Sequence, residues 1–156
     1  MASLSACERE MLTPQEVIEN FEFLEDWDAR YAYLVELGEA LPPMPEQYRT
    51  EDNRVKGCMS QVWVCPIADA SAPSRLQFVG DCDTAIIKGV LALLIELMSG
   101  RTPEEIEALD LDDLFGELRL AEHLSPNRHF GIFAVVELMK AKAAALAPTL
   151  PAANDR

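Results

Sequence analysis

The sequence predicts an α+β fold, a small antiparallel sheet of about three strands flanked by helices. Three observations predict it. Helix starts are written at Thr13-Pro14-Gln15-Glu16 and Thr102-Pro103-Glu104-Glu105, each with an N-cap, a proline at the first helical position and acids in the first turn. Short β-type runs with Val62, Trp63 and Val64 and with Leu76 and Phe78 read as strands. Between Ala85 and Ser99 nearly every residue is apolar over a length that suits a buried helix.

Taken in order, residues 1–12 have no sustained period and predict a flexible N-terminus that includes Cys7. A single domain is expected over 13–147, with 148–156 as a flexible C-terminal tail. The first helix runs from Pro14 to about Leu24, with Val17, Phe21 and Leu24 on one face. A second amphipathic segment covers Asp26 to Leu41 and stops at Pro42-Pro43-Met44-Pro45, which cannot continue a helix. A loop follows to about Asn53.

Strands are expected at Arg54 to Gly57, Gln61 to Pro66 and Arg75 to Gly80, with Ile67 to Ser74 as a hairpin loop. Gly80 to Thr84 should turn the chain into the central helix, capped by Asp83 or Thr84. The stripe Lys88, Ala92, Glu96 and Ser99 marks that helix's less apolar side. Short helices are predicted after Thr102 and over Leu109 to Leu120. A loop is predicted at His123 to Arg128, and a last helix from about Arg128 to Leu146.

The chain has 156 residues, 27 acidic against 13 basic, and a formal net charge of -14. That field repels phosphate backbones and anionic lipid, so neither nucleic acid nor a membrane is expected as a partner. The first residues lack the basic and apolar regions of a secretory signal. A cytoplasmic location follows, in which Cys7, Cys58, Cys65 and Cys82 are thiols rather than disulfides.

The candidate reactive residue is Cys58. Gly57 and Ser60 flank it in a predicted tight turn, ahead of Gln61 and a strand. Two readings stand on the residues alone, a buried structural cysteine and a reactive thiol. The reactive reading needs a cation or helix N-terminus nearby, and Lys56 and Arg128 are the candidate cations. Cys65 reads as packed in the sheet. Asp81 and Asp83 read as capping residues around Cys82. His123 and His129 read as surface residues of a loop, and no spacing among Cys and His matches a metal site.

Beyond these readings, Gly57-Cys58-Met59-Ser60-Gln61-Val62-Trp63 resembles the G-C-x-S-Q-V-W signature of the SufE family of sulfur-acceptor proteins. Trp27 to Gly38 with Leu41-Pro42 resembles the family's early helix. Gly80-Asp81-Cys82-Asp83-Thr84-Ala85-Ile86-Ile87-Lys88-Gly89 resembles its G-D-S-D-A-x-I-x-K-G segment, and His123-Leu124-Ser125-Pro126-Asn127-Arg128 with Gly131 its H-L-S/T-P-x-R-x-x-G.

The resemblance implies a SufE/IscU-like fold and no cofactor or metal of its own. It implies that Cys58 takes persulfide sulfur from a pyridoxal-phosphate (PLP) cysteine desulfurase of the SufS/CsdA type, stimulates that enzyme, and passes the sulfur to an iron-sulfur scaffold complex. Gly57, Ser60, Gln61, Asp81, Asp83 and Arg128 would then position the loop or contact the partner. Homodimerisation is left open. Cys82 departs from the family's usual serine and is a candidate secondary thiol. The alternative is a thiol redox module that pairs Cys58 with Cys82.

Overall fold

The computed structural model describes residues 13–57, 60–124 and 126–151, with backbone only at 121 and 126–130. Helix α1 (Pro14–Phe23) starts on a capping box in which the Thr13 hydroxyl accepts from the Glu16 amide and Glu16 accepts from the Thr13 amide. Helix α2 (Trp27–Glu39) follows after three residues, capped by Asp26. Arg30 Nε donates to the carbonyls of Phe21 (2.9 Å) and Leu24 (2.8 Å), satisfying acceptors that the end of α1 leaves open. Phe21 packs edge-on against both Trp27 and Tyr33, closing the corner.

From Ala40 to Asn53 the chain is loop with two single 3-10 turns, Glu46–Tyr48 and Glu51–Asn53. Strands β1 (Val62–Asp69) and β2 (Ala72–Cys82) form a two-stranded antiparallel hairpin. The strand expected at Arg54 to Gly57 is reduced to one isolated bridge, Arg54 with Trp63. The Ile67 to Ser74 loop is also shorter than expected. β1 continues to Asp69, and only Ala70 and Ser71 turn. Buried Asp69 makes that possible by accepting from the Ser71 amide (2.9 Å), the Ser71 hydroxyl (2.8 Å) and the Gln77 side chain (2.9 Å). Pro66 and Pro73 sit within the strands, where a two-stranded sheet leaves each strand one unpaired edge for residues without an amide donor.

Register pairs Val62 with Cys82, Trp63 with Asp81 and Val64 with Gly80, so β2 runs on through the expected Gly80 to Thr84 turn as far as Cys82. Helix α3 (Ala85–Met98) then lies under the hairpin with ten of its fourteen residues buried. Ala92 of the less apolar stripe is among them, and the Ser99 hydroxyl accepts from the Phe78 amide (3.1 Å), so that stripe is partly packed, while Glu96 on it stays exposed. The α2–α3 crossing is backbone on backbone. A Cβ on Gly89 would fall 2.0 Å from the Leu34 carbonyl oxygen, and one on Gly38 would fall 2.9 Å from the Gly89 nitrogen.

Helix α4 (Pro103–Glu107) carries the second capping box, Thr102 with Glu105. Helices α5 (Leu111–Leu118) and α6 (Leu120–His123) meet at Arg119, which adopts φ 59. Helix α7 (Pro126–Leu146) begins two residues earlier than expected. Its Lys140 donates to the carbonyls of Glu107 (3.3 Å) and Leu109 (2.8 Å), holding the end of α4. One hydrophobic cluster joins α1, α2, both strands and α3 to α7, with Leu34, Val62, Val64, Leu91, Leu94, Ile106, Leu114 and Met139 at its centre. Of the expected flexible ends, residues 1–12 lie outside the described residues, and Ala147–Thr149 forms a last 3-10 turn.

Candidate functional site

The segment that carries Cys58 is tied down on both flanks. On the entry side, the Val55 amide donates to the Val62 carbonyl (2.8 Å), which closes the chain between them into a loop. On the exit side, the Gln61 amide donates to the Asp83 carboxylate (3.1 Å) and the Gln61 carbonyl accepts from the Asp83 amide (3.2 Å). The hydroxyls of Ser60 and Thr84 meet at 2.6 Å. Gly57 takes φ 84, a left-handed conformation that favours glycine, and an added Cβ there would meet nothing within 4 Å. Cys58 itself lies outside the described residues, as does the side chain of Arg128.

These contacts place the loop's exit against the start of α3. Thr84 is the N-cap by position, yet its side chain accepts from no helix amide and is engaged with Ser60 and Asp83 instead. The first turn of α3 therefore presents uncapped amides beside the loop, where a helix dipole favours negative charge. Such a field lowers the cost of forming a thiolate.

Asp81 anchors the other half of the site. It stands opposite Trp63 and is contacted by the Arg49 guanidinium, by Lys88 Nζ (3.3 Å) and by the Cys82 amide (2.8 Å). Arg49 also lies over the Trp63 ring at 5.1 Å. Burial alone would push the Asp81 carboxyl up, but the Cys82 amide, Arg49 and Lys88 outweigh it and hold the group below its ordinary value. A depressed folded-state pKa stabilises the fold above the unfolded value of about 3.9 and loses that contribution as pH falls through the lower folded value. Acid unfolding of wild type, followed by circular dichroism, should therefore be steeper below pH about 4 than that of Asp81→Asn. Superimposable acid limbs would contradict the placement of Arg49 and Lys88.

Several sequence expectations change. Lys56, a candidate cation for the thiol, is paired with Glu51 at 2.5 Å, and Glu51 also takes both arms of Arg54 (3.0 and 3.1 Å). The hydrogen bonds of Arg54 and Lys56 bring the Glu51 carboxyl down to about 2. His123 is not a solvated loop residue. Its ring stacks on Trp27 (centroids 3.8 Å apart), and its carbonyl accepts from the Tyr31 hydroxyl at 2.5 Å. Cys65 is half-buried, and desolvation pushes its thiol up despite Lys142 and Asn53 nearby. Cys82 is buried at 6% exposure, with Sγ accepting from the Thr84 amide at 3.4 Å. Asp81 and Cys82 end a strand rather than cap a helix, and Asp83 bonds the loop.

Sequence reasoning missed Arg49, and no signal marked it, because a lone arginine in a polar loop has no spacing rule. Lys88 was noticed as part of a stripe and of the Gly80 to Gly89 segment, without the contact to Asp81 that it makes. Among the described residues, no group of three or more His, Cys, Asp or Glu side chains is placed to hold a metal ion, and no helix is long and apolar enough to cross a membrane.

Comparison with known proteins identifies the family. The model of the SufE family, described as an Fe-S metabolism associated domain, matches residues 15–143. A SufE-like protein of Rhizobium meliloti (strain 1021) is 40% identical over 134 residues, covering 85% of this chain and 96% of the relative. A SufE-like protein of Rhizobium etli is 37% identical over 134 residues, 85% of this chain and 90% of its own. The solution structure of a hypothetical protein from Thermus thermophilus superimposes with a TM-score of 0.71 at 22% identity, covering 87% of this chain and 96% of that one, which shows a shared fold. With a family model matched across the hairpin, the loop anchors and the start of α7, the chain belongs to the SufE family and has a role in iron-sulfur metabolism.

Proposed function

We propose that this chain is a sulfur acceptor that takes persulfide sulfur from a PLP-dependent cysteine desulfurase onto Cys58. On this reading it stimulates the desulfurase by removing its product, and it delivers the sulfur to an iron-sulfur scaffold complex in the cytoplasm. The observation that carries the reading is the loop anchored by Val55–Val62 on one side and by Gln61–Asp83 and Ser60–Thr84 on the other. These anchors fix both flanks of the segment that carries Cys58 and set its exit at the start of α3.

The chemistry is thiol exchange. The Cys58 thiolate attacks the terminal sulfur of the donor's persulfide, a new S–S bond forms at Cys58, and the donor's S–S bond breaks. The donor cysteine leaves as a thiolate and takes up the proton that Cys58 gave to solvent, so there is no net oxidation. The desulfurase supplies the cofactor that generated the persulfide. In this scheme Gly57, Ser60, Gln61, Asp81 and Asp83 position the loop and Arg128 contacts the partner. Burial of Cys82 behind Thr84 argues against its collecting sulfur or serving as an ordinary redox partner.

Peptide mapping tests this. After incubation with the desulfurase and cysteine, without reductant, the peptide containing Cys58 should carry one or more extra sulfur atoms that reduction removes. Sulfur found instead on the Cys65 or Cys82 peptides would sink the assignment. A Cys58–Cys82 disulfide in place of added sulfur would support the redox module.

A further inference from the structure

Phe23, the last residue of α1, is 84% exposed and is the one large hydrophobic side chain exposed among the described residues. A lone exposed apolar residue is ordinary on most surfaces. The surroundings of this one are not. Helical spacing puts Asn20, Glu19 and Glu16 on its stripe of α1. Asn20 donates to the Tyr33 hydroxyl (3.3 Å), so half-buried Tyr33 of α2 borders the same face, with Glu36 one turn further on.

Residues 13–45 hold eight carboxylates against a single base, Arg30. Arg30 turns inward, onto the Phe21 and Leu24 carbonyls and the rings of Phe21 and Trp27. None of Glu19, Glu22, Glu25 and Glu36 has an ion-pair partner among the described residues. The face is an apolar anchor inside an uncompensated negative field.

We propose that this α1–α2 face docks a protein partner through an apolar pocket rimmed by lysine and arginine. The negative field selects the occupant. It attracts a basic protein surface and repels nucleic acid, anionic lipid and a second copy of this chain, each copy carrying -14. The identity of the partner rests on the sulfur-carrier reading.

The test is calorimetric titration of the whole chain with two probes, the cysteine desulfurase and the iron-sulfur scaffold complex of the same organism. Phe23→Ser should weaken binding to one of them by at least about tenfold, as expected of an aromatic anchor. The charge variant Glu19→Gln/Glu36→Gln should flatten the salt dependence of that same Kd. Wild-type binding that both variants leave within about twofold overturns the surface alone. Wild-type protein that binds neither probe overturns the carrier reading and the surface with it. A loss of self-association in Phe23→Ser, seen by sedimentation, would overturn the proposal by assigning the face to a second copy.

Discussion

Gly89→Ala should lower stability by about 3 kcal/mol or more, because its new methyl has nowhere to go. The added Cβ would stand 2.0 Å from the Leu34 carbonyl oxygen and 2.5 Å from the carbonyl carbon, both of them backbone atoms inside a helix. A flexible side chain could rotate away, whereas here α2 and α3 must separate along their whole contact. Separation opens gaps around Leu34, Ile87 and Val90, each at most 1% exposed, and unfilled space in a core is itself costly. For a chain of this size the melting temperature should fall by about 6–12 °C. Thermal unfolding by circular dichroism reads the effect, and a change within about 2 °C would show that the helices are not in backbone contact.

Cys58→Ser should abolish sulfur uptake completely and return the desulfurase to the turnover it shows without this protein. A serine hydroxyl stays protonated near neutral pH and does not attack a persulfide, so the loss is of the reaction rather than of affinity. Cys82→Ser is the informative companion. Its hydroxyl can accept from the Thr84 amide where the thiol does so at 3.4 Å, so the fold and sulfur uptake should both persist. Sulfide release with cysteine as substrate measures stimulation, and intact mass measures uptake. Uptake retained by Cys58→Ser but lost by Cys82→Ser would reverse their roles.

What could be foreseen from the chain differs by kind of interaction. Local chemistry was legible. Thr13 with Glu16 and Thr102 with Glu105 form the boxes their spacing announces, and the apolar run after Ala85 is the central helix. The hairpin was legible in place but not in extent. The Ala, Ser and Pro content of Ile67 to Ser74 argued for a loop, while the turn depends on Asp69 folding back onto Ser71 and Gln77. Cys58, Ser60 and Gln61 were singled out from sequence, and so were Asp81 and Asp83. That Asp83 and Thr84 hold the loop's exit follows from the pairing of Val62 with Cys82, a relation across twenty residues that no local rule supplies. Arg49 was illegible for the same reason, since its meaning comes from Trp63 and Asp81, which lie far from it in the chain.

The two-residue turn at Ala70 and Ser71 has a practical consequence for following the protein at work. Strand β1 runs from Val62 beside the loop to Asp69 beside the turn, about 23 Å at the rise of an extended strand. Ala70 contributes no side-chain hydrogen bond to the turn, which Asp69 and Ser71 hold between them. A fluorophore or short epitope introduced at Ala70 through chemistry that spares thiols would sit at the opposite end of β1 from Val62, where the segment that carries Cys58 ends. It would report tumbling and complex formation in real time, without adding a nucleophile that competes for the cargo.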